Sequence, residues 1–189
     1  MRIFTLALSA WAGAVLAATP PAEDLARLEQ EARTISASFG KQLKGVLQAT
    51  MLAGGPVEAI KVCHTSAPEI AQRLSREQGW TVARTSTRVR NPSNAADEWE
   101  QQILQQWQDK IERGAPVGKL EASTVLDRDG EQTFRYMRAI PTGEVCLNCH
   151  GSRLSPAVAE QIKLLYPNDA ATGFQKGELR GAFSLEKSI

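Results

Sequence analysis

The 189-residue chain is poor in the residues that most often carry site chemistry, with three cysteines, two histidines and 6% aromatics. Three cysteines exclude a disulfide-dense scaffold, and two histidines exclude any site that needs several imidazoles. Charge of one sign is also lacking: 22 basic residues face 21 acidic ones. A dedicated nucleic-acid binder needs a clear Lys/Arg surplus to neutralise phosphates, so no nucleic-acid partner is expected. Paired carboxylates, a nucleophile elbow, a phosphate loop and a dinucleotide-type glycine pattern are all missing. Apolar runs are confined to the start, where Met1-Arg2 precedes Ile3 to Leu16 and Val15-Leu16-Ala17 makes a small-x-small cleavage site. The run falls short of the roughly 20 apolar residues that span a bilayer. It therefore reads as a signal peptide over 1–17, followed by one domain over 18–189. The mature chain is expected to be periplasmic, with no membrane insertion after cleavage. Removing Arg2 balances the charge, and all three cysteines enter an oxidising compartment.

What is there is largely helical punctuation. Leu25, Leu28, Ile35, Phe39, Leu43, Val46, Leu47 and Met51 recur at steps of three and four, which predicts a long N-terminal helix over 22–53. Gly54-Gly55-Pro56 ends it and opens a second helix. Ser66 and Glu69 form a capping-box pattern around Pro68, so Cys63 and His64 are expected beside a helix break. The stretch from Trp80 to Arg90 alternates as a strand, and a helix follows from Ala95 to about Arg113. Two strands flank Asp127-Arg128-Asp129-Gly130 as a hairpin. A short helix from Pro156 to Leu165 and a strand from Leu179 to Leu185 complete an α+β domain with an antiparallel sheet.

The chemistry gathers at Cys146-Leu147-Asn148-Cys149-His150. Two thiols at this spacing add across the vinyl groups of one haem, and the adjacent imidazole becomes the proximal ligand. One such motif means one covalently attached haem c, with Cys146 and Cys149 as anchors and His150 on the metal. A redox dithiol and half of a zinc site, completed by Cys63 and His64, use the same residues. For the sixth ligand, Met51 and Met137 fall on apolar patterns and read as core filler. His64 would give bis-histidine ligation. Cys63 continues a buried stripe, and neighbours on a helix point about 100° apart, so only one of the two can face a metal without unwinding. Arg84, Arg88 and Arg90 alternate on the expected strand, and Arg84 and Arg90 are candidates to pair with haem propionates. Trp99, Ile103 and Trp107 read as core packing, with a pocket wall as the other use of an aromatic there; Tyr166 has the same two readings.

Several segments resemble one family: Val62-Cys63-His64-Thr65-Ser66-Ala67-Pro68, Gly79 to Ser86, Arg90 to Asn94, Cys146 to Gly151, Tyr166 to Ala170, and Gly177 to Phe183. They resemble the exported PAS-like c-type haem domains, once catalogued as domains of unknown function and found alone or as input domains of membrane sensors. The resemblance implies a PAS-like antiparallel sheet with flanking helices. It also implies iron held by histidine and cysteine, which places the sixth ligand on Cys63. A cysteinate lowers the reduction potential relative to a Met/His site. Its release on reduction would open the iron to a diatomic gas, which makes a redox or gas sensor the leading reading. Such a sensor requires a signalling partner, for which the long helix offers a docking or homodimer surface. A plain electron carrier, meeting a redox partner at an exposed haem edge, is the alternative. A haem enzyme ranks last, because His64 is the one spare acid/base histidine.

Overall fold

The computed structural model describes residues 20–189 apart from Asp129, so the expected leader over 1–17 lies outside the described residues. The first element, α1 (Ala22–Gln78), is interrupted at Gly55, whose φ of 73° and ψ of −171° reverse the chain. Gln42 and Arg73, 31 residues apart, hydrogen-bond through their side chains. In one straight helix they would stand about 46 Å apart at 1.5 Å per residue, so the two arms fold back on each other. The first arm carries the expected apolar stripe, with Leu28, Ala32, Ile35 and Phe39 buried against Ile70 and Leu74 of the second.

The break expected near Ser66 does not occur. The second arm runs through Cys63, His64 and Ser66 to Gln78, with Pro68 inside it. Pro68 has no N–H for the carbonyl of His64, a loss of one helical hydrogen bond. Burial of Ala67, Ile70 and Leu74 on one stripe offsets that loss, so tertiary packing overrides the local stop signal.

Four antiparallel strands follow: β1 (Thr81–Thr85), β2 (Glu121–Arg128), β3 (Glu131–Pro141) and β4 (Leu179–Ser188), in the order β1-β4-β3-β2. The β2–β3 hairpin closes as the Asp-Gly signal requires, with Gly130 at φ 84°. The strand expected over Trp80 to Arg90 is shorter. Thr85 and Ala182 make the last rung of the β1–β4 ladder; beyond it Ser86 pairs with Ala95 instead, its Oγ donates to Arg180 O and accepts from the Arg88 N–H, and no β4 residue lies opposite 89 and 90.

Alternation along the strands divides the interior. Val82, Phe134, Tyr136, Phe183 and Leu185 pack on α1. Met137, Ala139 and Ala182 face α2 (Glu98–Glu112), where they meet Leu104 and Trp107. Helix α2 starts on a capping box formed by Asp97 and Glu100. Met137 and Trp107 are core residues, as expected, and Arg135 lies 4.5 Å above the Trp99 ring. Two shorter helices, α3 (Leu147–His150) and α4 (Pro156–Leu165), lie against the second arm of α1, where Ile60 packs with Val158 and Ile162. This is the α+β, PAS-like arrangement anticipated from the sequence. Among the described residues, no helix is long and apolar enough to cross a membrane.

Candidate functional site

A 3₁₀ turn over Glu144–Cys146 runs directly into α3. Cys146, Cys149 and His150 therefore occupy positions i, i+3 and i+4 of one helical turn and share a face. The chain leaves immediately afterwards, because Gly151 donates its N–H to Leu147 O at 3.0 Å. A Cβ at Gly151 would stand 2.6 Å from that same oxygen, so only glycine permits this exit. The N–H groups of Gly173 and Phe174 then donate to the carbonyls of Gly151 (3.0 Å) and His150 (2.9 Å), which clips the histidine backbone in place.

The imidazole is equally constrained. His150 Nδ1 lies 2.6 Å from Ala171 O, and a carbonyl can only accept, so Nδ1 carries the proton. Burial holds this histidine well below the usual value, and the positive charges of Arg180, Arg90 and Arg84 push the same way. The ring is therefore neutral, with an unprotonated Nε2 free to bind a metal. Phe174 meets it edge-on at 6.2 Å.

Four arginines converge around the motif, with different occupations. Arg90 forms a fork with Asp169 (Nε–Oδ1 3.0 Å, Nη2–Oδ2 3.1 Å) and donates through Nη2 to the carbonyls of Cys149 (2.6 Å) and Ala171 (3.3 Å). Its Nε and Nη2 are thus engaged by protein acceptors. Arg88 donates to Thr172 O and lies 3.9 Å over the Phe174 ring. Arg180 reaches Ser86 Oγ and Arg88 O, each at 3.3 Å. Burial, with Arg90 and Arg84 nearby, pushes it down to about 10. Arg84 stands apart: its guanidinium lies 5.7 Å from the Phe39 ring, and among the described residues it meets no hydrogen-bond or ion-pair acceptor. Of Arg84, Arg88 and Arg90, only Arg84 sits on a strand.

The second arm of α1 brings up Cys63. Burial pushes its thiol up, while Arg84 and Arg90 pull it down. Burial likewise raises Cys149, with Cys63 and Cys146 adding to the effect, so the three sulfurs share one neighbourhood. His64 is exposed and packs edge-on against Tyr166 at 5.1 Å. Tyr166 flanks the site, since the charges of Cys63, Arg84 and Arg90 all act on it. Met51 is half-buried near the tip of the α1 hairpin. Among the described residues, no three His, Cys, Asp or Glu side chains form a cluster able to hold a metal by themselves. A groove of about 820 Å³ lies elsewhere, between Ser86, Thr87 and Val89 and the glutamine face of α2.

Sequence reasoning singled out the cysteines, His150, Arg84 and Arg90 but passed over Asp169, Ala171, Phe174 and Arg180. Spacing carries no signal for these, because they join the motif through contacts such as Arg90 to Asp169, 79 residues apart. Presence in the family-like segments was the one available hint for Asp169 and Arg180.

No curated protein matches the sequence. Among solved structures, the crystal structure of the cyanobacterial haem protein Tll0287 is similar, with a TM-score of 0.62 and 21% identity over 90% of this chain and 96% of that one. The family profile described as Tll0287-like matches residues 18–188, nearly the whole chain, and the chain therefore belongs to the Tll0287-like family.

Proposed function

We propose that this protein binds one haem, attached through Cys146 and Cys149 with His150 as proximal ligand and Cys63 opposite, and acts outside the cytoplasm as a redox or diatomic-gas sensor. The observation that carries the reading is the state of His150. Directly after two thiols three residues apart stands a half-buried, neutral imidazole whose Nδ1–H is bound by Ala171 O and whose Nε2 is free. That is the donor a haem iron takes. The rest of the donor set fits as well. Arg84, a cation without an acceptor among the described residues, suits a propionate, and Arg180 is a second candidate. That no three His, Cys, Asp or Glu side chains cluster among the described residues favours a metal that brings its own equatorial ligands over a zinc cage. Membership of a family with a haem-protein relative supports the same conclusion.

Bound haem would supply a one-electron couple and an iron with a position open to exchange. The sensor reading rests on Cys63. Burial favours its protonated form, so its sulfur is a ligand that only a strongly attracting metal holds as thiolate. Cys63 also lies less than two turns before Pro68, where α1 already lacks a hydrogen bond. A sulfur that lets go on reduction would free this part of the helix to move against α4 and report the change to a partner protein.

Absorption and electron paramagnetic resonance spectra of the matured protein test this. The expected result is covalent haem, thiolate ligation in the ferric state, its loss on reduction, and carbon monoxide binding to the ferrous form. A bis-histidine spectrum unchanged by Cys63→Ala refutes the Cys63 assignment. Ligation retained on reduction, with no carbon monoxide adduct, refutes sensing and favours electron transfer.

A further inference from the structure

Ala171 is fully buried, and both of its backbone polar groups are held by one ion pair. Its N–H donates to Asp169 Oδ1 at 3.1 Å, and its carbonyl accepts from Arg90 Nη2 at 3.3 Å. Asp169 and Arg90 are themselves joined fork to fork, with their side chains 8% and 11% exposed. The same Nη2 reaches the carbonyl of Cys149, the residue before His150, at 2.6 Å. The carbonyl so held is the one that accepts from His150 Nδ1 at 2.6 Å. The geometry points to Arg90 and Asp169 as positioning residues for His150: their pair aims the Ala171 carbonyl at Nδ1 and thereby fixes the ring orientation and the tautomer that leaves Nε2 free.

The inference rests on His150 being the haem ligand and goes beyond it, because it gives Arg90 a task different from propionate binding. The chemistry separates the two. A propionate partner needs only positive charge within reach, which lysine supplies. Holding a carboxylate and two carbonyls at once needs the planar guanidinium, which lysine does not. Loss of outer partners of a ligating histidine commonly costs about 10- to 100-fold in metal affinity or activity. A loosened Nδ1–H···O bond should show in the proton itself and in the electronic state of the metal.

The experiment compares wild type with Arg90→Lys and with the near-isosteric Asp169→Asn, all matured with haem. It reads the reduction potential and the hydrogen–deuterium exchange rate of the His150 Nδ1 proton by nuclear magnetic resonance. Both variants should carry haem, exchange that proton about tenfold faster or more, and shift the potential upward, since a less basic imidazole stabilises ferric iron less. Removing positive charge alone would move the potential down, so Arg90→Gln gives opposite signs for positioning and for simple electrostatics. Exchange and potential preserved in Arg90→Lys, or a downward shift in Arg90→Gln, overturns the inference. Wild type without haem overturns the ligand reading itself, a separate and recognisable failure. If Arg90→Lys does not fold, Asp169→Asn with unchanged exchange and potential refutes the role by itself.

Discussion

Gly181→Ala should be among the most damaging single-methyl additions in this chain. Gly181 lies near the start of β4 with φ at 152°, a conformation that side chains rarely adopt. A Cβ there would stand 2.3 Å from Thr85 O and 3.0 Å from Ser86 Cβ. Neither neighbour can step aside cheaply. Thr85 is the last residue of β1, and Ser86 Oγ donates to Arg180 O at 2.9 Å while accepting from the Arg88 N–H at 3.1 Å. The strained backbone costs about 1–3 kcal/mol. Parting the Ser86 hydrogen bonds adds about 1 kcal/mol each. A total of about 3–5 kcal/mol follows, a large share of the roughly 5–15 kcal/mol that holds a domain together. Urea unfolding gives the value from the shift in midpoint at constant slope. A loss below about 1 kcal/mol would refute the reasoning, because β1 and β4 would then have slack at the point where the structure shows none.

Two further perturbations follow from local geometry. Gly55→Ala places a side chain at the left-handed reversal of α1 and should cost about 1–2 kcal/mol, whereas Gly45→Ala, in open space on the first arm, should stabilise by about 0.5–1 kcal/mol; thermal melts of the pair check the contrast. The Glu121 carboxylate accepts from Arg33 at 2.7 Å and from the buried Tyr136 hydroxyl at 2.7 Å, and the Arg33 hydrogen bonds hold it below the usual range. Its stabilisation is complete above the unfolded value of 4.5 and is lost as pH falls through the folded one. Stability measured from about pH 6 down to about pH 3 should therefore fall more steeply in wild type than in Glu121→Gln, and parallel curves would refute the assignment.

The haem-type motif is legible because it is local: three residues within one helical turn need no tertiary information. The same holds for the Asp-Gly hairpin and the apolar stripe of the first α1 arm. Cys63 shows where locality stops. Ser66, Pro68 and Glu69 spell a helix start, and Pro68 does remove a hydrogen bond, yet the helix continues because Ile70 and Leu74 bury against the first arm. Arg88 and Arg90 show the converse. Their alternation with Arg84 is strand-like, but the β1–β4 ladder ends at Thr85 and Ala182, where Ser86 turns to pair with Ala95 instead. Asp169 and Arg180 join the site entirely through pairings that chain order does not announce.

The balanced charge of the chain hides a local imbalance that bears on what the site holds. Arg84, Arg88, Arg90 and Arg180 gather around Cys146, Cys149 and His150, and Asp169 is the carboxylate paired there. Three of the four cations have protein acceptors: Arg90 has Asp169 and two carbonyls, Arg88 has Thr172 O, and Arg180 has Ser86 Oγ and Arg88 O. Among the described residues Arg84, Arg88 and Arg180 pair with no carboxylate, and burial pushes Arg84 and Arg180 down, with Arg90 and Arg84 acting further on Arg180. Buried like charges cost free energy unless an anion neutralises them. A bare dithiol would leave that cost in place. A haem brings two propionates, so the electrostatics of the site, independent of the cysteine spacing, argue for the same ligand that the spacing does.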